Sequence, residues 1–197
     1  MPGALVMQLP PMLHCRAMQR ALKAVRRPEC SHLTGFSLDD DDAVDCRYVE
    51  RLRRVSQNIV AMAPDGTIRC VGFNRGLFLR RKDAGNRSYE VVKNLPGGIG
   101  LAMIAPDGRE ENIFRHNHRL LPQFFSTYAE AETPAFTRTI HPDNDSRPSA
   151  WGQVIRLSGQ KLTDSVERHF PFSVAELRGL YGCFQPLRFP VRSCAAN

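Results

Sequence analysis

The chain has 197 residues, 42% of them hydrophobic and 24% charged, with a formal net charge of +7. That composition suits one folded unit with its own core. It excludes a membrane-spanning helix, since no apolar run approaches the roughly 20 residues such a helix needs.

Charge is unevenly placed. Residues 1–28 carry five basic groups and no acid, and residues 29–50 carry seven acids against one arginine. Residues 51–93 carry ten basic groups against three acids. A field of that sign favours anionic partners, whether nucleic acid or an acidic protein face.

The N-terminal residues are mildly apolar, but Pro10 and Pro11 interrupt them and positive charge follows instead of preceding, so no secretory signal is read. With no CxxC spacing among the six cysteines, no zinc site is read, and buried free thiols are expected over disulfides. The expected location is intracellular, cytoplasmic unless residues 1–28 are a mitochondrial transit peptide.

From Pro11 to Arg27 the pattern is helical. Arg16, Arg20, Lys23 and Arg27 recur on one face, Met18, Leu22 and Val25 on another, and Pro28 ends the run. This helix can dock on the domain, act as a basic arm, or belong to a transit peptide. Glu29 to Asp45 reads as a loop ending in Asp39-Asp40-Asp41-Asp42. The run lacks the alternating ligands and central glycine of a calcium loop. It reads instead as the cap of a helix over Ala43 to Ser56, or as a mask over the basic stretch.

The next stretch, Ser56 to Phe114, reads as short strands. Two of its turns repeat Ala-Pro-Asp-Gly, at residues 63–66 and 105–108. Proline presets the turn and glycine takes the left-handed position after aspartate, so both read as hairpin connections, and Asp65 and Asp107 as turn residues. The expected strands are Asn58–Ala63, Thr67–Phe73, Leu77–Arg81, Ser88–Lys93, Leu101–Ala105 and Arg109–Phe114. Gly97, Gly98 and Gly100 form a flexible break between strands; the Lys-Ser/Thr of a phosphate loop is missing.

Later elements follow the same rules. Gln123–Glu132 reads as a helix, Ala135–Ile140 and Trp151–Ser158 as strands, and Leu162–His169 as a helix. Ser173 and Glu176 form a capping box for a helix to Tyr181. The expected fold is α+β: an antiparallel meander or small barrel of about five to seven strands with helices packed against it. A basic extension and linker (1–37) would precede a single domain (38–190), and a flexible tail (191–197) would follow.

Arg75, Arg80, Arg81, Lys82, Arg87 and Lys93 alternate with Phe78 and Tyr89, a mixture that can stack bases and track phosphates. With Arg16, Arg20 and Lys23, these residues point to a small non-enzymatic nucleic-acid-binding protein, more for RNA or single strands. The first alternative is a regulatory factor that binds an acidic partner. The second is a metal-assisted hydrolase or nuclease at His116 and His118, with Asp143 as a further candidate. No resident metal or cofactor is expected.

Overall fold

The computed structural model describes residues 6–62, 66–80, 87–141, 152–157 and 159–179. Helix α1 (His14–Val25) is amphipathic, and it is docked. Its Leu22 lies so close to Gly35 that a Cβ there would stand 3.1 Å from the leucine methyl. Gln19 and Lys23 reach Glu110 at 2.6 and 3.4 Å, and Arg26 pairs with Asp107 in the second Ala-Pro-Asp-Gly turn. That pairing, with the Gly108 backbone, holds the Asp107 carboxyl below the usual range.

Strands β1 (His32–Phe36) and β2 (Asp42–Val44) occupy the stretch expected to be a loop. Helix α2 (Tyr48–Met62) starts later than expected and runs through the expected strand at Asn58–Ala63. The reason is periodicity. Leu52, Ser56 and Ile59 are buried at helical spacing, so Ile59 prolongs the helix's inner face. The helix begins too far on to be capped by Asp41 or Asp42. Asp45 takes that place, accepting the Arg47 N–H on Oδ1 at 3.2 Å and the Tyr48 N–H on its carbonyl at 2.8 Å.

Strands β3 (Arg69–Phe73), β4 (Arg75–Arg80), β5 (Arg87–Val92) and β6 (Ala102–Pro106) follow. Gly66 and Gly108 take φ of +71° and +76°, as the turn chemistry requires, while residues 63–65 lie outside the described residues. No strand directly follows the turn after β6. Residues 109–112 are irregular and Ile113–Arg115 form one 3-10 turn, so the second expected hairpin is absent. A second 3-10 turn, His118–Leu120, runs into the short helix α3 (Leu121–Phe124). The stretch expected as a helix over 123–132 then becomes strand β7 (Ser126–Glu130), because its backbone pairs with β3. Strands β8 (Phe136–Ile140) and β9 (Gln153–Arg156) precede helices α4 (Gly159–His169) and α5 (Val174–Gly179). The capping box is present: Ser173 N–H and Oγ–H both donate to Glu176, at 2.6 and 2.8 Å. The expected C-terminal tail lies outside the described residues.

The chain is therefore α+β, with strands in two open sheets and helices against them. One sheet has the order β1-β6-β3-β7 and the other β2-β8-β4-β5-β9. The chain crosses between them five times, and two of these crossings, from β3 to β4 at Asn74 and from β7 to β8, lie side by side. Both crossing segments run parallel, β3 beside β7 and β4 beside β8. Alternation along β4 sends Phe78 into the main core with Tyr48, Phe73 and Phe136, while Leu77 and Leu79 meet α4 and α5. Cys15, Cys30 and Cys70 are free thiols, but only Cys70 is buried, and Cys46 is disulfide-bonded, against the expectation of free thiols. No helix among the described residues is long and apolar enough to cross a membrane.

His169 closes α4, and its Nδ1 is buried without a hydrogen-bond partner. Burial lowers its pKa; Asp45 opposes this, while Arg51, Arg168 and Arg47 reinforce it. The fold thus favours the neutral ring. Above the unfolded value of about 6.5 this costs nothing, and stability falls as pH drops below it. Melting curves from pH 7.5 to 5.5 should show a shallower loss for His169→Gln than for the wild type. An identical slope would place His169 outside the acid response. His118, lowered in the same sense, leaves a residual slope.

Candidate functional site

Beyond β1 the chain is tied to the glycine-rich turn 96–100. Ser37 accepts the Gly100 N–H on its carbonyl at 2.8 Å and donates Oγ–H to the Gly98 carbonyl at 2.7 Å. The aspartate run follows directly. Asp39, Asp41 and Asp42 each bring a carboxylate oxygen to within 4.8 Å of the others. Asp42 sits opposite Arg138 in the β2–β8 ladder, and neither of its shielded carboxylate oxygens takes a hydrogen bond. Burial raises its carboxyl to about 7, against the pull of Arg138 and with the push of Asp41 and Asp39.

Lys93 leaves the end of β5 toward the same place. Its backbone is clamped by Asn74: the Lys93 N–H donates to the Asn74 carbonyl at 2.8 Å, and Asn74 Nδ2 donates to the Lys93 carbonyl at 3.2 Å. Its Nζ lies over the Phe78 and Phe136 rings, 5.1 and 5.5 Å from their centroids. The residue is 5% exposed. Burial and then the Arg138 charge lower its amine to about 8, Asp42 opposing.

His118 opens its 3-10 turn, which Asn117 caps by accepting the Arg119 N–H at 3.0 Å. The ring lies beside Gly98, where a Cβ would stand 3.6 Å from Nδ1. Burial lowers its pKa, helped by Arg119, Lys93 and Arg138 and opposed by Asp39. His141 Nε2 lies 3.4 Å from Asp41 Oδ2. Three carboxylates, three cations and His118 thus share one electrostatic neighbourhood. Acids grouped beside cations can hold a hard metal ion together with an anionic ligand.

Among the described residues, the basic and aromatic side chains expected to share one face are spread over different surroundings. Phe78 is 1% exposed, in the core, and Tyr89 packs half-buried against it. Arg75 is taken up by Glu90 and by the Glu132 carbonyl, and Arg80 is half-buried. Arg16 and Arg20 are exposed on α1, on an element separate from that sheet, and Lys23 pairs with Glu110. Arg87 begins β5, while Arg81, Lys82 and Asp143 lie outside the described residues. Lys93 is buried in the core's rim. The cause is alternation: in a two-sided sheet, residues that interleave in sequence face opposite layers.

His116 and His118 also separate. They sit in successive tight turns, not on one strand, and the His116 ring packs on Phe124 and Phe125, at 4.7 and 5.4 Å. Only His118 faces the charged cluster. The aspartates were missed because the run was weighed against a calcium loop and a helix cap. Their carboxylates are brought together by a turn, in which the Asp42 N–H donates to the Asp39 carbonyl at 3.3 Å, and no spacing in the sequence marks it.

What the fold defines is a polar cup where Asp42, Lys93 and Arg138 at one sheet meet acids and cations from the turn before β2 and the turn before α3. The chain belongs to the rhamnosyl transferase family: the model of the family described as Putative rhamnosyl transferase matches residues 1–153. That stretch holds every residue of the cup. No curated protein and no solved structure matches the chain. Membership in a transferase family overturns the expectation of a non-enzymatic nucleic-acid-binding protein.

Proposed function

We propose that the chain transfers a rhamnosyl-type deoxysugar from a nucleoside diphosphate donor to an acceptor hydroxyl, with the cup as its donor site. The observation that carries this reading is the meeting of Asp39, Asp41 and Asp42 with Lys93, Arg138, Arg119 and His118 in a chain of that family. The donor set fits a hard divalent cation. It is all carboxylate oxygen, its oxygens lie within 4.8 Å of one another, and both Asp42 oxygens are shielded and unbonded. Asp39, Asp41 and Asp42 would hold such a cation, which would supply positive charge against the diphosphate. Arg138 and Arg119 face the cup from β8 and from the turn before α3, where they favour the anionic diphosphate.

Calorimetric titration with thymidine, uridine and guanosine diphosphates, with and without Mn2+, tests the reading. One of the three should bind in the micromolar range, and only with the metal. Failure of all three to bind in the presence of Mn2+ removes the proposal.

A further inference from the structure

We propose that Lys93 is the group that takes up the charge of the departing nucleoside diphosphate, and that Gly97 lacks a side chain so that the Lys93 amine can stand there. This role rests on the glycosyl-transfer reading and gives one residue of the cup a distinct task.

In the transfer, the acceptor hydroxyl oxygen bonds to the sugar's anomeric carbon while that carbon's bond to the diphosphate oxygen breaks. The bonding pair leaves with the diphosphate and the hydroxyl proton is released to the medium; nothing is oxidised or reduced. The diphosphate therefore gains one negative charge that the donor did not carry. A cation useful at that moment must already be in place and shielded from water, because preorganised charge in a low-dielectric setting acts without reorganisation.

Among the three cations of the cup, Lys93 meets that condition best. Arg119 is exposed and Arg138 is half-buried, whereas Lys93 is 5% exposed. Asn74 grips its backbone from both sides, and two ring faces receive its amine. Gly97 completes the seat. A Cβ added there would stand 2.7 Å from Nζ, too close for both to remain. The neighbour that must yield is the far end of a flexible side chain, so Gly97→Ala shifts the amine while leaving the backbone in place. Gly97 is needed for room. Its turn partner Gly100 is needed for conformation, at φ +62°.

The test compares two ligands on the full chain with Mn2+. One is the nucleoside diphosphate that the wild type prefers among thymidine, uridine and guanosine. The other is the same nucleotide carrying rhamnose. Lys93→Met keeps the aliphatic stem and removes the charge. It should weaken the nucleoside diphosphate about 10- to 100-fold and the nucleotide sugar less than about 3-fold, since only the former carries the extra charge. Gly97→Ala should shift the ratio in the same direction by a smaller factor. Equal losses for both ligands, or none, would overturn the role of Lys93 while leaving glycosyl transfer standing. A wild type that binds neither ligand would remove both. If Lys93→Met does not fold, Gly97→Ala decides alone, an unchanged ratio overturning the proposal.

Discussion

Replacing Arg51 with methionine is expected to destabilise the protein by about 3–5 kcal/mol, the cost of stripping one partner from a buried ion pair. Arg51 leaves α2 and meets Asp45 at 2.7 Å and Glu130 at 2.5 Å, and it donates to the carbonyls of Pro134 and Thr133. Its guanidinium also lies over the Phe73 ring, 4.8 Å from the centroid. The side chain of Asp45 is 2% exposed, so without Arg51 a carboxylate stays buried with no cation against it. One guanidinium thus ties α2, the turn that opens it and the crossing from β7 to β8. Thermal melts should show a fall of roughly 10 °C or more. A triple variant that also carries Asp45→Asn and Glu130→Gln should recover part of the loss. A fall of only a degree or two for Arg51→Met would mean that water replaces the guanidinium.

The second large effect separates function from stability. On the proposed donor site, Asp42→Asn should reduce metal-dependent nucleotide binding by at least about 100-fold, because one of the three carboxylates that would hold the metal is lost. Its melting temperature should not fall. The Asp42 carboxylate is shielded and takes no hydrogen bond, a burden that a neutral amide lightens. Titration with nucleotide and Mn2+, beside a melt of the same sample, reads both quantities. Undiminished binding would place the metal elsewhere, and a melting temperature several degrees lower would make Asp42 a structural residue.

Local chemistry was legible in the sequence where it acts within a few residues. The Ser173–Glu176 box, the positive-φ glycines after Pro-Asp and the amphipathic pattern of α1 all appear in the structure. Elements failed where a distant partner decides. Ser126–Glu130 follows a helix-like run yet becomes a strand, because β3 offers it a ladder. Ile59 and Val60 look like strand residues before a turn, yet Ile59 completes the buried stripe of α2. The cup was the least legible part. Asp39, Lys93, His118 and Arg138 come from four separate regions, and no spacing rule links them. Lys93 was singled out for its charge, but its burial between two rings arises only when β4 and β8 lie side by side.

The side-by-side crossings from β3 to β4 and from β7 to β8 have a kinetic side. Arg69 pairs with Ser126 and Gly76 with Phe136, so the parallel ladders join segments remote in sequence. Such ladders reward the chain only after a long loop has closed, whereas α1, α2 and the α4–α5 pair can form locally. On loop-closure entropy, registering β7 and β8 onto β3 and β4 is the step expected to be slowest. That pairing also brings Arg138 beside Phe78 and Asp42, so the charged cup comes together only as these long-range ladders close.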